Sequence, residues 1–191
     1  LTVKSLIKTL PLCVSVFLLS QGCAQAPIDS AAYIPPTAPM LEGAYEINDK
    51  LKKTEILAAG KVHGPEDIDV DQYGRIYAAN VDGRIVRIQK DHAGNENITT
   101  FAETGGRPLG IHFDAKGNLI VCDALKGLLS ISPSGEITTL LTEVNGLPFA
   151  FTDDADIAKD GTIYFTDASS KFGIKEYKLD ILEAKPYGRL I

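Results

Sequence analysis

DIDVDQYGRIYAAN (Asp67–Asn80), GIHFDAKGNLIVCD (Gly110–Asp123) and DADIAKDGTIYFTD (Asp154–Asp167) decide the fold. Each stretch has a short apolar alternation, a polar turn closed by glycine, and a run of β-branched, aliphatic and aromatic residues. Alternation at a period of two puts successive side chains on opposite faces of a strand. Asp, Asn and Gly supply the left-handed backbone or the side-chain-to-backbone bonds that a tight hairpin needs. The turn glycines Gly74, Gly117 and Gly161 stand 43 and 44 residues apart. Further strands follow at matching places, GRIVRI (Gly83–Ile88) with ITTF (Ile98–Phe101), and GLLSI (Gly127–Ile131) with ITTLL (Ile137–Leu141). A four-stranded unit of about 40–45 residues is the blade of a β-propeller. The chain is therefore read as all-β, with about three blades over 51–191.

Thr54–Leu57 reads as an outer strand without a blade of its own, of the kind that closes a ring by joining the last blade. Propellers hold about 4–8 blades, so the count predicts the front part of a longer ring. Blade 3 carries an insertion over about 168–187. Asp167 and Gly188 are 21 residues apart, where the matching intervals in blades 1 and 2 are three and four. Within the insertion, IKEYKLDILEA (Ile174–Ala184) has Ile174, Tyr177, Ile181 and Leu182 at helical spacing. The expected helix either roofs the propeller axis or decorates the surface.

The amino terminus reads as an address label. Lys4 and Lys8 precede the apolar run Leu10–Leu19 within 1–24, too short to span a bilayer, which needs about 20 residues. Gly22-Cys23 resembles the end of a lipobox, and cleavage after Ala24 is the competing outcome. The expected location is exported: periplasmic, or anchored to a membrane through a lipidated Cys23. Residues 25–50, rich in Pro and Ala, are read as an extended linker. Without the leader, Cys122 is the one remaining cysteine, so no intrachain disulfide is expected. The chain's net charge of −6 repels phosphate backbones and argues against a nucleic-acid partner.

Candidate chemistry lies at the head of each inner strand. Glu66-Asp67, Leu109-Gly110 and Asp153-Asp154 occupy one repeat phase, and inner strands converge on the axis of a propeller. Two acidic pairs gathered there repel one another and lose hydration, which a hard divalent cation such as Ca²⁺ relieves. The competing reading makes these acids turn caps or partners of Arg107 and Lys61. Asp71, Asp114 and Asp160 read as turn formers. Asp69, His112 and Asp156 share an inner-strand phase and read as a polar ladder between blades. His63 is the candidate general base, weighed against a plain exposed loop histidine. Cys122 reads as core.

Three longer segments, GPEDIDVDQYGRIYAANVDGRIVRI, GRPLGIHFDAKGNLIVCDALKGLLSI and FTDDADIAKDGTIYFTDASSKF, together with PYGRLI, resemble the strictosidine-synthase-like proteins. That group includes the adipocyte plasma-membrane-associated protein and is similar to the gluconolactonases and paraoxonases, calcium-dependent six-bladed propellers. The resemblance implies an incomplete six-bladed ring here. It implies that Glu66 and Asp153 ligate a functional calcium and that Asp67 and Asp154 hold a structural one. Leu109 stands where paraoxonases place a catalytic histidine, and the catalytic glutamate of strictosidine synthases falls in a later blade. The implied function is a calcium-dependent hydrolase of an ester or lactone, of arylesterase or gluconolactonase type. The alternatives are a non-catalytic NHL-type binding scaffold and a strictosidine-synthase-like lyase.

Overall fold

The computed structural model describes residues 27–191, so the leader read over 1–24, with Cys23, lies outside the described residues. Residues 27–40 carry no regular secondary structure and are almost wholly exposed, and the stretch up to Lys50 adds only a short 3-10 turn at Gly43–Tyr45.

Blade 1 is a four-stranded meander of β1 (Ile68–Val70), β2 (Ile76–Ala79), β3 (Arg84–Lys90) and β4 (Glu96–Glu103). Blade 2 repeats it with β5 (Pro108–Phe113), β6 (Leu119–Asp123), β7 (Gly127–Ile131) and β8 (Ile137–Leu141). A two-stranded ribbon, β9 (Glu143–Val144) with β10 (Leu147–Pro148), follows and was not signalled by the repeat. Blade 3 has three strands: β11 (Thr152–Ile157), β12 (Ile163–Asp167) and, after the insertion, β13 (Arg189–Leu190). Neighbouring strands are antiparallel throughout. The sheets themselves are thus successive propeller blades.

Thr54–Leu57 is not a strand. It runs beside blade 1, where Lys90 Nζ donates to Glu55 at 2.7 Å and Ala58 N–H donates to Glu96 at 3.0 Å. The two bonds tie the segment to β3 and β4, and among the described residues it joins no ladder.

The core forms where blades meet face to face. β6 is buried on both sides, and its alternation divides the work. Leu119 and Val121 pack toward blade 1 with Tyr77, Ile85, Ile111, Leu129 and Ile131, while Ile120 and Cys122 pack toward blade 3 with Leu128 and Phe165. Tyr77 anchors the first seam through edge-to-face contacts with Phe101 and Phe113, at centroid distances of 5.0 and 4.9 Å. Such aromatic pairs add about 0.5–1.5 kcal/mol each beyond their buried area.

The hairpin turns follow from their residues. Gly74, Gly117 and Gly161 adopt φ of 74°, 83° and 88°, a region costly for any side chain. Asp71 Oδ1 accepts the N–H groups of Tyr73 and Arg75, and Asp114 Oδ1 those of Lys116 and Asn118. Blade 3 uses Asp160 instead, which accepts from Thr162.

The insertion contains a short 3-10 turn (Ile174–Glu176) and helix α1 (Tyr177–Glu183). It leaves blade 3 at the end opposite the hairpin turns. Its apolar stripe faces outward: Ile181 is 67% exposed and Leu182 54%, while the buried residue is Glu183. Lys171 and Lys185 pair with Glu183 at 2.7 and 3.2 Å, and hold its carboxyl down to about 2. The Ser169 hydroxyl also donates to Asp180 at 2.7 Å, so polar contacts tie this helix to the segment before it.

Candidate functional site: an acidic mouth at the inner strands

The inner-strand heads owe their aim to broken ladders. β5 and β6 lose register between Pro108 and Ile111, and β11 and β12 between Thr152 and Ala155. The residues released are Leu109-Gly110 and Asp153-Asp154. A bulge turns side chains off the regular alternation, which points them to a site that a flat strand would not reach. In blade 1, Glu66 N–H donates to the Ala79 carbonyl at 3.3 Å, and Ala79 N–H donates to the Asp67 carbonyl at 3.2 Å. Glu66 and Asp67 thus head β1 just before its regular ladder.

Glu66 of blade 1 senses the acids of blade 3 across blade 2. Burial raises the Glu66 carboxyl, and the charges of Asp153, Asp67 and Asp154 raise it further, with Arg107 opposing. Burial and Asp154 raise Asp153. Carboxylates raised by neighbouring carboxylates carry surplus negative charge, the condition a cation relieves. Gly110 makes the approach possible. A Cβ there would lie 2.7 Å from the Asp154 Cα and 2.9 Å from the Asp153 carbonyl oxygen. Only a residue without a side chain lets blade 3 come this close.

The four predicted ligands are not equally free. Asp67 uses both oxygens on backbone, accepting from Ile68 N–H at 2.7 Å and, across the seam, from Ile111 N–H at 2.9 Å. Asp154 accepts from Ala155 N–H at 2.8 Å. No hydrogen bond to the carboxylates of Glu66 and Asp153 occurs among the described residues. Also among the described residues, no three His, Cys, Asp or Glu side chains gather closely enough to hold one ion. The hard-oxygen donor set suits Ca²⁺, with Glu66 and Asp153 as the two uncommitted carboxylates; a full shell needs further donors.

Asp69 and its neighbours form the row expected between blades. Asp69 Oδ2 accepts Phe113 N–H at 2.8 Å, and His112 lies 3.7 Å from Asp69 and 3.8 Å from Asp156. Asp67 and Asp69 therefore stitch β1 to β5 at alternate residues. His63 is exposed, and its carbonyl, not its ring, is engaged, accepting Val81 N–H at 3.0 Å. Cys122 is fully buried, and burial with the nearby acids pushes its thiol far above the ordinary range, so it is core and not a nucleophile. Clefts of about 510 and 560 Å³ open between the hairpin turns of successive blades, at the end away from the acidic mouth. Repeat reasoning missed Asn80, Asp123 and Asp167, fully buried polar residues at the mouth end. Their common phase as the last residue of each aligned stretch was the available signal.

Antiparallel four-stranded repeats with an acidic mouth at the inner strands define a β-propeller sequence. The chain belongs to the strictosidine synthase-like family. Residues 43–88 match the family model described as strictosidine synthase-like, N-terminal, and residues 153–191 match that of strictosidine synthase. Protein strictosidine synthase-like 4 of Arabidopsis thaliana is 42% identical over 172 residues, which cover 88% of this chain and 45% of that protein. The adipocyte plasma membrane-associated protein of Homo sapiens is 34% identical over 205 residues, covering 96% of this chain and 46% of that protein. Among solved structures, a gluconolactonase of Xanthomonas campestris aligns with a TM-score of 0.44 at 18% identity, over 50% of this chain and 31% of that one. The chain spans less than half the length of these curated relatives.

Proposed function

We propose that the whole protein is an exported, calcium-dependent hydrolase of a small ester or lactone, and that the mouth described above is the chain's share of the active site. The observation that carries the reading is that Glu66 in blade 1 is raised by the charges of Asp153 and Asp154 in blade 3, while Asp153 is itself raised by burial and Asp154, with neither carboxylate spent on a hydrogen bond to a described residue. Glu66 and Asp153 would hold the cation from two sides, and Asp67 and Asp154 would add charge from the adjoining positions. A cation at such a mouth polarises a carbonyl oxygen and stabilises the oxyanion. Arg107 is the positive charge that opposes the rise of Glu66. His63 is the residue of this chain offered as general base, on its place next to the Gly64–Glu66 turn. Export and attachment through a lipidated Cys23 belong to the same proposal; no helix among the described residues is long and apolar enough to cross a membrane.

A lyase is the second reading, favoured by the match of residues 153–191, which begins at Asp153, to the strictosidine synthase model. The test uses the full-length protein. Calcium is expected to raise its melting temperature, EDTA to abolish hydrolysis of aryl esters or lactones, and Glu66→Gln to remove both effects. Hydrolysis that survives EDTA, or melting indifferent to calcium, sinks the metal-dependent reading. Calcium binding without hydrolysis, joined to carbon–nitrogen bond formation from an amine and an aldehyde, favours the lyase.

A further inference from the structure

The second strand of each blade ends near the mouth on a polar residue with no exposure: Asn80, Asp123 and Asp167, spaced 43 and 44 residues apart. Asp123 Oδ1 accepts the N–H groups of Arg107, Leu125 and Lys126 at 2.9, 2.9 and 3.1 Å. Asp167 Oδ1 accepts those of Phe151 and Ala150 at 2.9 and 3.2 Å. Arg107 and Phe151 are equivalent residues, each on the loop that leads into an inner strand. These two carboxylates latch that loop. Gly64 is the matching residue in blade 1, and Asn80 does not latch it. Among the described residues, neither Asn80 Oδ1 nor Nδ2 has a partner.

Charge around the three positions follows the mouths. Blade 3 carries Asp153 and Asp154 at its mouth, and Asp167 beneath them is neutralised by Arg189 at 2.7 and 3.0 Å. In blade 2, Leu109 and Gly110 bring no charge; among the described residues Asp123 has no cationic partner and its Oδ2 is unpaired. Blade 1 carries Glu66 and Asp67, and Asn80 follows directly on Ala79, the residue bonded to both. Arg84 holds the place of Arg189 but is bound to Asp82 at 2.7 Å. Arg107 is occupied next door, its Nη2 donating to the Gly64 carbonyl at 3.2 Å. A carboxylate at position 80 would be a third negative charge, buried, with Arg84 and Arg107 of the described residues already engaged.

We infer that Asn80 is a positioning residue of the mouth: a neutral amide stands beneath the head of β1 so that Glu66 and Asp67 can share that head as anions. The loop latch present in blades 2 and 3 is given up in blade 1 for this reason. The inference concerns the same mouth as the proposed function but does not depend on what binds there, and its test is run in EDTA. In the full-length protein, Asn80→Asp is expected to lower the melting temperature by roughly 10 °C, as an unneutralised buried charge does. Adding Glu66→Gln is expected to return part of that loss, a coupling that a purely steric defect at position 80 would not show. If Asn80→Asp alone fails to fold, the double variant is still expected to fold. A melting point for Asn80→Asp near that of the parent, an equal loss with and without Glu66→Gln, or failure of both variants to fold overturns the inference.

Discussion

The two ends of the inner hairpins treat their carboxylates in opposite ways. At the turn end, burial pushes Asp71 up, but hydrogen bonds from Arg75 and Tyr73 outweigh it and leave the carboxyl below its ordinary range. Asp114 behaves the same way, with Asn118 as its chief partner. At the mouth end, burial and like charges raise Glu66 and Asp153, and only Arg107 pulls back on Glu66. One end spends its acids on holding a turn together. The other keeps acids whose charge the described residues do not balance, which is stability given over to a site.

Several measurements break or sharpen this contrast. Gly110→Val should be the most damaging change, because its Cβ would meet not only the Asp154 carboxylate but also the backbone of Asp154 and Asp153, which cannot swing away. Denaturant unfolding should show a loss of about 3 kcal/mol or more. A loss under about 1 kcal/mol would mean that blade 3 does not close on blade 2 as described. Asp71→Ala comes next. Its side chain is 7% exposed and accepts from Tyr73 N–H, Arg75 N–H, the Arg75 guanidinium and the Tyr77 hydroxyl. We expect a loss of about 2 kcal/mol; a neutral result would erase the distinction between the two ends.

The pH profile reads both ends in one experiment, with a smaller effect. Asp71 and Asp114 have depressed folded values, so their stabilisation is present above the unfolded value and is lost as pH falls through the folded one. Glu66 and Asp153 have raised folded values, so their destabilisation is fully present above those values and is relieved as pH falls through them. In EDTA, the melting temperature should therefore rise on mild acidification and fall only at lower pH. Calcium should flatten the rise. A monotonic fall from neutral pH in EDTA would remove the mouth's surplus charge from the account. The smallest effect is Glu66→Gln in EDTA, a slight gain in melting temperature because the side chain is largely solvated. A clear loss would show that Glu66 supports the fold.

Much of this was legible in the chain. The 43- and 44-residue spacing of Gly74, Gly117 and Gly161 fixed blade order, strand pairing and the turns, because hairpin chemistry is local. The same phase marked Glu66, Asp67, Asp153 and Asp154. Other features were not legible. Ile181 and Leu182 have the spacing of a buried stripe, yet they face solvent among the described residues, while Glu183 is the buried residue of the helix; spacing alone does not say which face finds a partner. Thr54–Leu57 has strand composition but pairs with no strand among the described residues, which hold three blades and not the last blade that such a strand joins. Asn80 closes its repeat as Asp123 and Asp167 close theirs, but a difference of one amide acquires meaning only when burial and neighbours are known.

By itself, the sequence determined the repeat, the hairpins and the residues that head each inner strand, since alternation, turn glycines and spacing act between near neighbours along the chain. The tertiary structure alone decided which acids are spent on backbone and which stay available. That depends on bulges, on the bare backbone of Gly110 and on charges more than 40 residues apart in sequence, and burial and electrostatic coupling are properties of space rather than of order.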